Sequence, residues 1–507
     1  MVCDQRAVNV REIRLSYSWA KFLAEVALRP NDAKGGVDRC SDFAVPVECF
    51  QYVPFKNHMK YYDSRNLMVE IPVLSEYIPD TEKKEMQAAH WFATVLKTAG
   101  YRMLLRYVGV NKDNGNMYDL WMNMGSGEVR HVGYCGEHLD SCRMVVPNMI
   151  AKNEDEWSNY ALSQIHACRS IAFNWPQVQI KNINNCKFEI GNRVELLDTV
   201  FSCRVRPACI QKIVGHRVLV QLSTDDITPE PIADDDAQIN GVWLEHDSPL
   251  LFYVGWSAKV GFGLYSNKKY KQHAKNVADA LIMGRRPPLR ELDANPDLFV
   301  TYEDHSGPNQ ELLSWEKGME LEILDPADTF KELRCGTVLE ILRDGYMRIG
   351  FKGNEEDEDN IPIHCSSPLL FPVGYAEKYG LKLRGPKDKY INDHFETCGM
   401  KAAPLELFDT VEEHEETVKS FQIGAKLEAC DMCDTQLICP ASIACHRGRL
   451  LEISYDGWDS SFNQLFEFRS NDILPLGWCE IYGYKLECPK PTIRPCKSSK
   501  EFEALKS

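Results

Sequence analysis

The chain has 507 residues, 44% apolar, 10% aromatic and 26% charged, with a formal net charge of −16. That length is too great for one core and implies roughly three to five domains. No apolar run reaches the roughly 18 residues of a membrane helix, and Met1-Val2-Cys3-Asp4-Gln5-Arg6 offers no apolar leader. A soluble intracellular protein is expected, and the acidic balance disfavours nucleic acid and favours basic partners.

In chain order, residues 19–27 carry apolar side chains at helical spacing. A loose opening, Asn66-Leu67-Met68-Val69-Glu70-Ile71, leads into strand-like runs at 91–96 and 101–107, and the unit closes on Val132-Gly133-Tyr134-Cys135. The pattern then recurs. A helical stretch at 156–173 precedes Phe188-Glu189-Ile190-Gly191-Asn192-Arg193-Val194-Glu195, the strand-like 217–222, and Val254-Gly255-Trp256-Ser257. A third helical stretch, 272–284, precedes Trp315-Glu316-Lys317-Gly318-Met319-Glu320-Leu321-Glu322 and Val373-Gly374-Tyr375-Ala376. A fourth, 393–401, precedes Phe421-Gln422-Ile423-Gly424-Ala425-Lys426-Leu427-Glu428 and Leu476-Gly477-Trp478-Cys479. The closing glycines lie roughly 100 to 120 residues apart, the size of a small domain.

Turn residues such as Ala99-Gly100, Asp344-Gly345 and Arg447-Gly448 separate the apolar runs. Several short strands in so little chain suggest a small five-stranded barrel. The reading is a mainly β protein of four tandem units, each a helical and extended arm followed by a barrel. The boundaries are 15–145, 150–264, 270–383 and 390–490, with a flexible tail at 491–507. Acidic runs at 355–359 and 412–416 read as solvated loops.

The 19 cysteines lie mostly in strand-like runs and read as reduced core residues. Cys430-Asp431-Met432-Cys433 has the spacing of half a zinc site but lacks a second pair. No metal site and no cofactor are expected. No nucleophile elbow, phosphate loop or dinucleotide fingerprint occurs, so no enzymatic activity is expected. Lys268-Lys269-Tyr270-Lys271 is a local basic stretch that could touch DNA, but direct nucleic-acid binding is not expected.

Three motifs of the fourth unit carry a family pattern: Gly424-x-Lys426-Leu427-Glu428-x-x-Asp431, Tyr455-Asp456-Gly457-Trp458-Asp459-x-x-Phe462 and Pro475-x-Gly477-Trp478-Cys479. Together they resemble the MBT (malignant brain tumour) repeat, a Tudor-like barrel, and the resemblance runs through about residues 15–490 as four repeats. It implies a non-catalytic chromatin reader that binds lysine with few methyl groups on a histone tail, H3 being the expected one, and contributes to transcriptional repression in the nucleus. Expected partners are a methylated histone tail, the nucleosome and repressor-complex proteins. The alternative is a scaffold of such a complex in which the pocket is incidental.

The family's cage positions fall on Tyr455, Trp458 and Phe462, with Asp431 as the carboxylate, Asp434 beside it, and Leu437 and Cys439 as the floor. A methylated ammonium keeps its charge but is less hydrated, so aromatic faces attract it by about 0.5–2 kcal/mol each. A carboxylate adds Coulomb attraction and can accept a remaining N–H. Leu451, Ile453 and Tyr455 alternate on one strand face, which puts Tyr455 at the barrel's mouth. Taken singly, each aromatic is more often core than cage. Trp478 reads as structural, because a Gly-aromatic pair recurs in every unit.

The other units fail as sets. Unit three keeps Asp325 and Phe351 but has no Trp458 equivalent. Unit two has Asp198 but Leu222-Ser223-Thr224-Asp225 in place of aromatics. Unit one has Tyr107, Tyr118 and Trp121 but Val73-Leu74-Ser75-Glu76 in place of the acid.

Overall fold

The computed structural model describes residues 43–62, 67–83, 86–110, 117–150, 186–198, 200–223, 241–299, 315–351, 359–385 and 401–487. Residues 17–20, 22–23, 156–157, 159, 163, 169–175, 178 and 391 are described as well. The helix expected at 393–401 lies outside them, except for its last residue. So do most of that at 19–27, half of that at 156–173, most of the acidic run 355–359, and the tail.

Four sheets follow one another along the chain, and each is built on a four-strand antiparallel meander. In the fourth the strands are Lys426–Asp431, Asp434–Arg447, Leu450–Tyr455 and Gln464–Glu467, and Ile473–Leu474 returns to the first. Leu251–Phe252 and Leu370–Phe371 return in the same way in repeats two and three. The bridge between Glu70 and Arg130 takes that place in repeat one. The chain then comes back again and pairs in parallel with the long second strand, at Cys142–Met144, Gly263–Leu264, Leu383–Arg384 and Leu486. This parallel return helps give six strands in the first three sheets, against the five expected for each unit. A bulge recurs at one place in the second strand, between Val95 and Lys97, Ile210 and Lys212, Val338 and Glu340, and Ile443 and Cys445. An extra residue there bends and twists the strand, so one strand serves both halves of a small barrel-like sheet.

One carboxylate ties the two ends of every repeat together. Glu428 accepts from the N–H groups of Gly477 and Cys479, both at 2.8 Å. Glu195 does the same with Gly255 and Ser257, Glu322 with Gly374 and Ala376, and Glu70 with Gly133 and Cys135. The glycine is required because its φ is left-handed, 91° at Gly477 and 101° at Gly133. The opening Leu-Glu and the closing Gly-aromatic seen in the sequence are therefore bonded partners. They fix the barrel frame whether or not a pocket is present.

The arms pack on the barrel that precedes them. Arg169–Ser170 pairs with Leu67–Met68, Asp293 bridges Arg193, and Ala402 bridges Glu320. Ahead of repeat one, Ala44 bridges Lys426 of repeat four, and Trp19 Nε1 donates to Glu428 at 2.8 Å. The first arm thus lies on the last barrel, and the four repeats close into a ring. The helix expected at 272–284 runs Lys268–Ile282 instead. It starts earlier because the Asn267 side chain accepts from the Tyr270 N–H and caps it. The basic stretch 268–271 is its first turn.

The aromatics after the closing glycines dock neighbouring repeats. Trp256 stacks edge-on to Tyr346 at 5.0 Å, and the Tyr375 hydroxyl donates to the Arg447 carbonyl at 2.7 Å. Trp478 is buried against the core of repeat one, and a Cβ on Gly215 of repeat two would stand 3.0 Å from its ring.

Candidate functional site

Repeat four brings most of the expected residues to one end of its barrel. Tyr455 ends its strand, buried, with its hydroxyl 2.5 Å from the Cys430 carbonyl and 2.6 Å from Gln464 Oε1. The chain then turns: the Trp458 N–H donates to the Tyr455 carbonyl, and Gly457 takes a φ of 79°. Asp459 Oδ1 accepts from the Ser461 N–H at 2.9 Å and starts the single turn Ser460–Phe462. Asn463 Nδ2 anchors the far side of the loop to Glu452 at 2.9 Å. Trp458 and Phe462 meet at 5.1 Å and 62°. Trp458 is half-buried against the core of repeat four, as are Met432 and Leu437, whereas Phe462 is 43% exposed. Lys331 of repeat three holds its ammonium 5.2 Å from the Phe462 centroid, so that ring already attracts a cation at the rim.

Asp431 ends the adjoining strand. Its Oδ1 accepts from the Cys433 N–H at 2.9 Å and from Gln464 Nε2 at 2.8 Å, and it forms no ion pair with any described residue. Its charge reaches the pocket wall and floor. Burial, and next the Asp431 carboxylate, raise the Tyr455 phenol well above its ordinary value and push the Cys439 thiol up to about 12. Both groups stay neutral, so the carboxylate is the negative group facing this space. Asp434 stands apart. It pairs with Asp431 across the hairpin, but its side chain is exposed and holds Gln436. Within the expected C-x-x-C, Cys430 is buried and Cys433 exposed, so the two do not converge.

Strand register, counted from the four frame glutamates, identifies the same positions in the other repeats. Cys439 corresponds to Arg334 in repeat three. There the guanidinium donates to Asp325 at 2.7 Å and to Asp359 at 2.6 Å, and its Cζ lies 3.5 Å over the Phe351 ring. Repeat three therefore holds a cation of its own between an acid and an aromatic face. In repeat two, Leu437 and Cys439 correspond to Arg204 and Arg206, which lie 3.1 and 3.9 Å from Asp198. In repeat one the acid is Val73 and the floor is the buried Trp91, whose Nε1 donates to Val108. The Tyr107 hydroxyl still bonds the Pro72 carbonyl at 2.8 Å, as Tyr455 bonds Cys430. Repeats one and four share that bond, whereas Leu222 and Phe351 take the tyrosine's place in repeats two and three. Among the described residues, an acid that no arginine neutralises belongs to repeat four.

Sequence reasoning missed Gln464 and the three arginines. Gln464 is only 1% exposed and sits where register places Leu120, Val242 and Ile361 in the other repeats. A lone amide at an inward strand position is the signal that could have found it.

The mbt repeat profile matches residues 81–143, 192–271, 319–390 and 425–493. The chain belongs to the MBT repeat family. It is 31% identical to the Caenorhabditis elegans protein lin-61 over 95% of this chain and 77% of that one. It is 29% identical to human MBT domain-containing protein 1 over 93% and 69%. It is 27% identical to the Drosophila melanogaster Polycomb protein Sfmbt over 88% of this chain and 35% of the relative. Among solved structures, the four MBT repeats of Drosophila melanogaster Sfmbt match with a TM-score of 0.74 and 26% identity, covering 94% of this chain and all of that one. That structure is a complex with the peptide RHR(me)KVLR. The ring of four barrels is thus an MBT architecture, and the candidate residues lie in its fourth MBT repeat.

Proposed function

We propose that this MBT protein is a non-catalytic reader of methylated lysine, acting through repeat four. The ligand is a mono- or dimethyl-lysine side chain on a histone tail, H3 being the tail favoured, and the outcome is transcriptional repression on chromatin in the nucleus. One observation carries the reading. Among the described residues no arginine pairs with Asp431, and Gln464 holds its carboxylate next to Tyr455, the strand end that leads into Trp458 and Phe462. The Sfmbt complex with a methyl-lysine peptide supports the ligand class.

In this reading the methylammonium packs against the corner that Trp458 and Phe462 form, and its remaining N–H donates to Asp431. Leu437 and Cys439 form an apolar floor that limits depth, and Asp434 adds negative potential at the rim. Trimethyl-lysine has no N–H to donate and binds less well. One pocket on a flexible tail gives a Kd on the order of 1–100 μM, so nucleosome contacts or partner proteins add avidity. Titrating H3 peptides with zero to three methyl groups into wild type and Asp431→Asn tests this. Wild type should prefer one or two methyl groups, and the variant should lose both affinity and preference. Equal binding of methylated and unmodified peptides by wild type would sink the reading.

A second reading, a scaffold for repressor-complex proteins, is favoured by a cleft of about 640 Å³ where repeats two, three and four meet, walled by Trp243, Phe330, Tyr346 and Phe408. Retention of partners and of repression by the Asp431→Asn protein would favour it.

A further inference from the structure

Repeat one holds a cluster that the other repeats lack. His90, Cys135 and Cys142 are all buried, and a ligand atom of each lies within 4.8 Å of the other two. Three elements bring them together. His90 is on the second strand, Ala88–Ala99; Cys142 opens the return strand that pairs with it in parallel; and Cys135 lies in the short helix Tyr134–Glu137.

Register shows what the frame needs at these places. The parallel return pairs His90 with Met144, Val205 with Leu264, Leu333 with Leu383, and Ile438 with Leu486. His90 therefore occupies a position that is Val205, Leu333 and Ile438 in the other repeats, each of them fully buried. Counting back two residues from those partners, Cys142 occupies the place of Phe262, Leu381 and Tyr484. Cys135 corresponds to Ser257, Ala376 and Cys479. An aliphatic side chain satisfies the fold where repeat one has an imidazole. Burying that imidazole costs desolvation. An imidazole facing two thiols is a ligand set.

We propose that His90, Cys135 and Cys142 bind a zinc ion in repeat one. Zinc takes nitrogen and sulfur ligands at about 2.0–2.3 Å in a tetrahedron, which sets ligand atoms about 3.5–3.8 Å apart and asks only a small contraction of this cluster. Binding displaces the two thiol protons, so two thiolates and one Zn²⁺ leave no net charge in the buried space. His90 Nδ1 lies 3.3 Å from the Ala88 carbonyl; an N–H donated there leaves the Nε2 lone pair for the metal. The ion would join the helix after the closing glycine to the return strand. Glu245, Cys430 and Asp472 also converge, but there Arg217 Nε lies 3.1 Å from Glu245 and already supplies the positive charge.

This inference does not rest on the lysine pocket. The test uses the full chain, purified under reducing conditions, with metal content measured after dialysis and Co²⁺ exchanged for zinc. Wild type should hold about one zinc per chain and show a thiolate-to-Co²⁺ charge-transfer band. EDTA should lower its Tm. His90→Val, which installs the residue of repeat two, and Cys142→Ala should both lose the metal and the band, and their Tm should no longer respond to EDTA. Folded wild type that takes up no zinc or cobalt would overturn the proposal. So would His90→Val and Cys142→Ala proteins that hold as much metal as wild type, since the remaining cysteines would then be the ligands.

Discussion

Gln464 Nε2 donates to Asp431 Oδ1 at 2.8 Å, while its Oε1 accepts from the Met432 N–H at 3.0 Å and lies 2.6 Å from the Tyr455 hydroxyl. One buried amide thus fixes both the acid and the deepest aromatic of the pocket. Gln464→Leu, which installs the residue of repeat one, removes one hydrogen bond from each of these groups and leaves Tyr455 held by the Cys430 carbonyl and Asp431 by the Cys433 N–H. Peptide affinity should fall about tenfold or more, and folding stability by about 1–3 kcal/mol. Peptide titration and urea unfolding read the two effects separately. Unchanged affinity in the folded variant would remove Gln464 from the site.

Cys439→Arg copies into repeat four the arginine that repeat three already has. The guanidinium should pair with Asp431 as Arg334 pairs with Asp325, and methyl-lysine binding should fall at least about tenfold, as expected when the acid is neutralised in place. Circular dichroism should show the fold intact. Full binding by this variant would mean that Asp431 and the floor are not where the ligand goes.

Arg334→Ala tests the converse in repeat three. It leaves Asp325, which is 4% exposed, as a buried charge whose main partner is gone. Breaking such a pair by removing one side costs about 3–5 kcal/mol. A loss below about 1 kcal/mol in chemical denaturation would show that the pair is not a structural plug.

Glu428 makes stability depend on pH. Burial raises its pKa from 4.5 to about 7, against the lowering effect of the Cys479 and Gly477 N–H donors. The folded carboxyl therefore holds its proton more tightly than the unfolded one. Its contribution is full below pH 4.5, is lost as pH rises towards about 7, and is flat above that. At about 1.4 kcal/mol per pKa unit, the change is on the order of 3–4 kcal/mol. Urea midpoints at pH 5, 6 and 7 should show this slope in wild type and a flatter one in Glu428→Gln. Parallel slopes would contradict it.

The repeat frame was legible because it is local and recurrent. A glutamate ending one apolar run and a glycine before an aromatic mark positions that every repeat must fill. The candidate aromatics of repeat four lie within eight residues and could be read together as one set. The sequence set the other repeats apart by missing aromatics in two and three and a missing acid in one. What also separates repeat four is Cys439 in place of Arg334, a strand position whose partner lies across the hairpin and cannot be paired without register. Gln464 was hidden in the same way, since its partners come from other strands or the turn between them. The contact between the first arm and the last barrel, through Trp19 and Glu428, spans almost the whole chain and leaves no local signal.

Trp458→Ala offers the most direct test of the pocket, because Trp458 stands on a loop outside the strand frame. Isothermal titration of monomethyl- and dimethyl-lysine H3 peptides into wild type should give a Kd on the order of 1–100 μM. The variant should bind at least about tenfold more weakly, with an unchanged circular dichroism spectrum. Equal affinity in wild type and a folded Trp458→Ala protein would contradict the assignment of repeat four as the methyl-lysine site.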